Sequence, residues 1–202
     1  MSKDTHKLML DHSQAKVELY GKYLAKYLRI ISQDGYTKTI YLYDLFSGDG
    51  EYKDGRKGSP IIALDKIQGC LSALEGQMPK VKLLLNDIDP EVVKKLKTTI
   101  KDQGKPRNCE VKIYNKDYLD LVDGVSRNIE TLKNEKAVVF LDPKGYKQIT
   151  IAHIRQFLKN KKTEVLVFLP IRDMHRFANI DDNNAGQGHE PLKQFMKEVF
   201  PS

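Results

Sequence analysis

Four short, almost unbroken apolar runs constrain this chain more than any other feature: Ile40 to Phe46, Val81 to Leu85, Ala137 to Leu141 and Val165 to Leu169. Each is too short for a buried helix, and none alternates as a half-exposed strand would. Strands apolar on both sides of the pleat belong to a parallel sheet covered on both faces. Glu110 to Asn115 does alternate, which places it near a sheet edge. Parallel neighbours need long crossovers, and helical stretches fill the intervals at about 60–74, 90–102, 118–132 and 150–160, with another at 190–199. Ser59-Pro60 and Asp89-Pro90 mark two of the starts, each pairing a capping side chain with a proline suited to the first helical turn. The alternation predicts a doubly wound, mostly parallel α/β sheet.

Ahead of the first strand, Val17, Tyr20, Leu24, Tyr27 or Leu28, and Ile31 share one face of an amphipathic helix over 12–32. The organisation is therefore an N-terminal helical segment, 1–36, followed by an α/β domain, 37–202. A chain of 202 residues can bury a core without staples, and its two cysteines, Cys70 and Cys109, form neither a CxxC pair nor a framework. No apolar run reaches the roughly 20 residues of a membrane span, and the polar start MSKDTHK lacks an export core, which points to a cytoplasmic protein. The formal charge of +7 suits an anionic partner such as nucleic acid. Asn179 to Gly188 reads as a polar loop before the last helix, directly after which the chain stops, so the domain is expected to be cut short.

The chemistry-bearing motifs sit where strands end. Asp44-Leu45-Phe46-Ser47-Gly48-Asp49-Gly50 follows the first strand, where ligands of doubly wound sheets bind and glycines let them approach the backbone. A nicotinamide fingerprint fits poorly, because its third glycine would fall on Lys53. Asp87, just past the second strand, can accept both hydroxyls of a ribose, while Asp89 reads as a helix cap. Asp117 follows the alternating strand and is a candidate for an adenine amino group. Asp142-Pro143 ends the strand expected across the switch point, where a carboxylate and a carbonyl can hold an amino group, and Tyr146 can stack a planar base. After the fifth strand, Arg172 and Arg176 could meet phosphate. The five histidines lack metal-ligand spacing, so no metal is expected.

Taken in order, Asp44-x-Phe46-x-Gly48-x-Gly50, Asp87 and Asp142-Pro143 resemble class I S-adenosylmethionine-dependent methyltransferases. More narrowly, DLFSGDGEYKDGRKGSPIIAL (44–64) with FLDPKGY (140–146) resembles the three-Cys-motif partner protein family. The resemblance implies a Rossmann-like methyltransferase sheet in the order 3-2-1-4-5, lacking the last two strands. It also implies S-adenosylmethionine as cofactor and a bacterial partner, a three-Cys protein similar to radical-SAM proteins. By the same resemblance Gly48 and Gly50 approach the methionine part, Asp44 supports the loop or the amino group, Phe46 is a further cofactor-binding residue, Asp87 takes the ribose and Asp117 reaches adenine, while Asp142, Pro143 and Tyr146 form the reaction centre. Asp142-Pro143 occupies the place of the [DNS]PP[YFW] motif of amino-group methyltransferases, with Lys144 and Gly145 in place of its second proline and aromatic. Two functions follow as expectations: methyl transfer to nucleic acid, at a base amine for instance, or a non-catalytic module of the same fold serving a protein partner.

Overall fold

The computed structural model of the chain describes residues 11–143 and 149–168. Its elements alternate as the sequence predicts: α1 (Asp11–Ser32), β1 (Thr39–Asp44), α2 (Ser59–Ala73), β2 (Lys80–Asn86), α3 (Pro90–Gln103), β3 (Cys109–Tyr114), α4 (Tyr118–Glu130), β4 (Glu135–Leu141), α5 (Ile151–Leu158) and β5 (Thr163–Val167). The strands form one all-parallel sheet in the order β3-β2-β1-β4-β5. This is the expected doubly wound, Rossmann-like α/β fold. Among the described residues no helix is long and apolar enough to cross a membrane.

The apolar runs divide as a sheet covered on both sides requires, because successive residues of a strand point to opposite faces. Ile40, Leu42, Val81, Leu83, Leu85, Val138 and Phe140 pack with α1, α2 and α3. Tyr43, Leu45, Ala137, Val139 and Leu141 pack with α4 and α5. β3 lies at one edge of the sheet and leaves Glu110 and Lys112 exposed, in keeping with its alternation.

Two local signals resolve differently. β1 ends at Asp44 and does not run on to Phe46, because the Asp44 carboxylate accepts the Phe46 N–H and bends the backbone into a turn. Ser59 is not the cap of α2. Gly58 holds that position without a side-chain bond, while the Ser59 hydroxyl donates to Asp44 Oδ2 at 2.6 Å. A buried carboxylate left without donors costs more than an uncapped helix end, so the serine goes to the acid. Asp89 does cap α3, accepting from Glu91 N and Val92 N.

The amphipathic α1 is part of the main core. Tyr20, Leu24, Tyr27 and Leu28 are buried in it, and the Tyr20 ring stacks on Phe140 of β4 at 4.2 Å between centroids. Leu24→Ala should therefore cost roughly 3 kcal/mol of global stability in urea unfolding. Leu19→Ala on the outer face, where Leu19 is 52% exposed, should change stability by less than about 0.5 kcal/mol. Equal effects would place α1 outside the core.

A crevice at the carboxyl ends of three strands

Register brings the candidate residues together. Asp44 pairs with Leu85 on one side and Phe140 on the other, so β1, β2 and β4 end at nearly the same level. Asp44, Asp87 and Asp142 consequently emerge at one end of the sheet, around the point where the strand order reverses.

The connecting loops are tied to one another through backbone groups. Asn86, 1% exposed, donates from Nδ2 to the carbonyls of Leu45 and Lys116, and its Oδ1 accepts the Lys116 N–H at 3.1 Å. Asn115 donates to the carbonyls of Asp87 and Ile88, both at 2.9 Å. The Ser47 N–H closes onto the Asn86 carbonyl at 2.8 Å. These two asparagines satisfy polar backbone that would otherwise be stranded at the sheet end, and they hold the loops after β1, β2 and β3 in fixed relation.

Gly48 adopts φ +66°, and no atom lies within 4 Å of where its Cβ would stand. The turn needs glycine for its left-handed backbone, and it leaves open space beside the chain. The Gly48 N–H donates to Asp87 Oδ2 at 3.2 Å, and the Asp89 N–H donates to Asp87 Oδ1 at 2.9 Å. Each carboxylate oxygen retains a further lone pair for a ligand hydroxyl. Gly50 differs: at φ +88° its missing Cβ would meet Leu96 at 3.1 Å and Ile61 at 3.4 Å, so this glycine serves packing of the loop on α2 and α3.

A crevice of about 130 Å³ lies over these strand ends. Asp87, Lys116 and Asp142 supply its polar groups, and Phe46, Ile88 and Tyr118 its apolar ones. Phe46 and Tyr118 stack at 5.1 Å, while Ile88 is 58% exposed beside them. The arrangement offers an apolar wall, with Phe46 and Ile88 facing outward over the buried Tyr118 ring, next to a carboxylate acceptor. Asp117 caps α4 through the Leu119 N–H at 2.9 Å, and its neighbours Lys116 and Tyr118 line the crevice.

Asp142 is engaged by a residue the motifs do not reveal. Lys16 of α1 places its Nζ 2.6 Å from Asp142 Oδ1 and 5.6 Å from the centre of the Phe168 ring. Nothing local marks Lys16, whose role depends on how α1 docks 126 residues away in sequence. Tyr118 and Ile88 belong to no motif either, although each directly follows an acid at a strand end. Pro143 follows β4 in a partly buried loop. Tyr146, Arg172 and Arg176 lie outside the described residues, as do the 179–188 loop and the helix expected at 190–199. Among the described residues no group of three His, Cys, Asp or Glu side chains could hold a metal ion.

Beneath the crevice Asp44 is 1% exposed. Burial raises its pKa to about 7, against the Ser59 and Phe46 hydrogen bonds that lower it, and the negative charges of Asp142 and Asp87 raise it further. Asp44 and Asp87 are thus buried close to the partly exposed Asp142, whose charge Lys16 already meets.

No protein-family model matches the chain, and no curated protein matches it. It is similar to a solved structure described as cofactor-bound Rv0187 from MTB, at 13% identity over 95% of this chain and 80% of that one. The TM-score of 0.41 is too low for that likeness to carry an argument about function.

The raised pKa of Asp44 has a stability consequence. An unfolded Asp loses its proton near pH 4, whereas folded Asp44 keeps it to about pH 7. Between these values the native state holds the extra proton, so stability falls as pH rises through that window. Asp44→Asn imitates the protonated form, with the Ser59 hydroxyl free to turn. From pH 5 to pH 8 the wild type should lose on the order of 2 kcal/mol relative to this variant in urea unfolding. Parallel pH profiles would show that Asp44 titrates normally.

Proposed function

We propose that this protein is an S-adenosylmethionine-dependent methyltransferase acting on nucleic acid. One observation carries the reading: the Asp87 carboxylate, which accepts the Gly48 N–H, and Asp142 line a single crevice with the stacked Phe46 and Tyr118 rings. That donor set fits an adenosyl sulfonium. Asp87 accepts from the ribose, the apolar wall of Phe46 and Ile88 takes the adenine, and the open backbone at Gly48 borders the methionine part. Asp44 supports the loop from below by accepting the Phe46 N–H. Asp117 acts by capping α4 and so setting Lys116 and Tyr118 in place.

The cofactor supplies an electrophilic methyl group on a positive sulfonium. This chain's residues have to position an acceptor amine in line with it, with little need for a strong base. Asp142 and the Pro143 carbonyl are the groups assigned to hold that amine. The net charge of +7 supports an anionic substrate such as nucleic acid.

A second reading rests on Lys16. Its ammonium already occupies Asp142 Oδ1, where a substrate amine would bind. A chain that keeps this pair closed would bind the cofactor without transferring methyl, as a module serving a partner protein, with the three-Cys protein implied by the sequence resemblance as the candidate. Labelled S-adenosylmethionine separates the two: label in RNA or DNA supports the enzyme, and binding without transfer to any nucleic acid supports the module.

Asp87→Ala should weaken S-adenosylmethionine binding by roughly 2 to 4 kcal/mol, or about 30- to 1000-fold in Kd. Calorimetric titration of variant and wild type, with the variant's fold verified by circular dichroism, reads this directly. Unchanged affinity would remove the ribose assignment.

A further inference from the structure

The sheet face on the α4 side is covered unevenly. α4 and α5 bury the β4 and neighbouring β1 positions, yet toward β2 and β3 the described helices leave the sheet open. A groove of about 290 Å³ lies there between the strands and the flank of α4 at Asn128. Its floor and rim combine tyrosines with lysines: Tyr41 and Tyr43 of β1, Lys82 of β2, and Lys112 and Tyr114 of β3. A parallel sheet is ordinarily covered on both faces, so an open half built from these residue types asks for an occupant.

We propose that this β2–β3 face is a track for single-stranded nucleic acid that leads into the crevice. Tyr41 and Tyr43 lie with rings 10° from parallel and 6.1 Å apart, and Asn128 pins the hydroxyl of the buried Tyr43 at 2.8 Å, so Tyr43 steadies Tyr41 from within the core and leaves Tyr41 and Tyr114 as the partly exposed rings. Lys82 lies over the Tyr41 ring at 5.1 Å with its charge exposed. Lys112 is 62% exposed and pairs at 3.4 Å with Glu110, the acid that lines this groove, in an exposed ion pair that solvent screens and a phosphate can replace. Lysines that neutralise phosphates around tyrosines that stack bases are the features by which sheet surfaces hold single strands without reading sequence. Charge complementarity therefore favours a polyanion over a second copy of this basic chain or a basic protein partner.

Direction comes from the register. Leu84 pairs with Lys112 and Asn86 with Tyr114, and the chain then continues through Asn115 to Lys116. Asn86 and Lys116 line the crevice, whereas Lys112 and Tyr114 line the groove. At the rise of a strand, Lys82 and Asn86 are about 13 Å apart, so track and crevice form one path along β2 and β3. The proposal rests on the functional reading only for this direction of travel.

The test is fluorescence anisotropy of a 12-nucleotide fluorescein-labelled oligouridine with the full chain, without cofactor, from 50 to 300 mM NaCl. Binding should weaken steeply with salt. The double variant Lys82→Ala/Lys112→Ala should flatten the slope of log K against log salt by about 1.4. Tyr114→Ala should lose at least about five-fold in affinity, and Tyr114→Phe should restore it. Absence of binding at 50 mM NaCl, or variants that bind as the wild type does, would overturn the proposal. So would light scattering that reveals a dimer dissociated by the lysine double variant. Calorimetry with S-adenosylmethionine alone keeps the two readings apart, since the lysine variants should bind the cofactor as wild type does. A wild type that binds RNA but no cofactor would sink the enzyme reading and leave the track standing.

Discussion

Burial of the Asp44 carboxyl at the end of the central strand is the constraint around which the rest is arranged. It is 1% exposed, so its charge must be met by donors within the protein. The turn at Leu45-Phe46 and the start of α2 supply them through Phe46 N–H and the Ser59 hydroxyl. These bonds fix where β1 stops and where α2 begins, and thereby where Gly48 turns. The Gly48 N–H then meets Asp87 of the next loop, and the sheet register sets Asp142 at the same level. Concentrating acids so closely is unfavourable in isolation, which is why burial and mutual repulsion together push Asp44 toward its neutral form.

Much of the architecture was legible in the sequence because the strands are apolar on both faces. Val81 to Leu85 and Ala137 to Leu141 could only be buried strands, and Asp89-Pro90 could only start a helix, since the capping acid and the proline suit consecutive positions. The motif residues at the strand ends were found for the same reason: in a parallel sheet, a polar residue directly after an apolar run emerges at the ligand-bearing end. What the sequence hid was long-range. Ser59 carries a strong local capping signal, and a buried acid fifteen positions earlier takes its hydroxyl instead. Gly50 looks equivalent to Gly48 in the motif, yet its empty Cβ position faces Leu96 and Ile61. Lys16 has no local signature, and it reaches Asp142 only because Tyr20 and Leu24 bury α1 against the sheet.

The Lys16–Asp142 pair is where the enzymatic and non-catalytic readings part. Both side chains are partly exposed, at 32% and 28%, so solvent screens the pair and a competing amine could displace the lysine without a large penalty. The ion pair is therefore compatible with a site that opens to substrate, and equally with one held shut by α1. The fold serves either outcome, since the loops after β1, β2 and β3 are tied to one another by bonds that do not involve Lys16.

The proposed function requires that the loops after β1, β2 and β3 together hold an adenosyl ligand. Amide chemical-shift mapping of the 15N-labelled protein during titration with S-adenosylhomocysteine tests it most directly. Saturable shifts are expected at Gly48, Asp87, Ile88 and Lys116, with Thr98 and Asp102 on the outer side of α3 unmoved. Shifts confined to α3, or none at millimolar ligand, would contradict it.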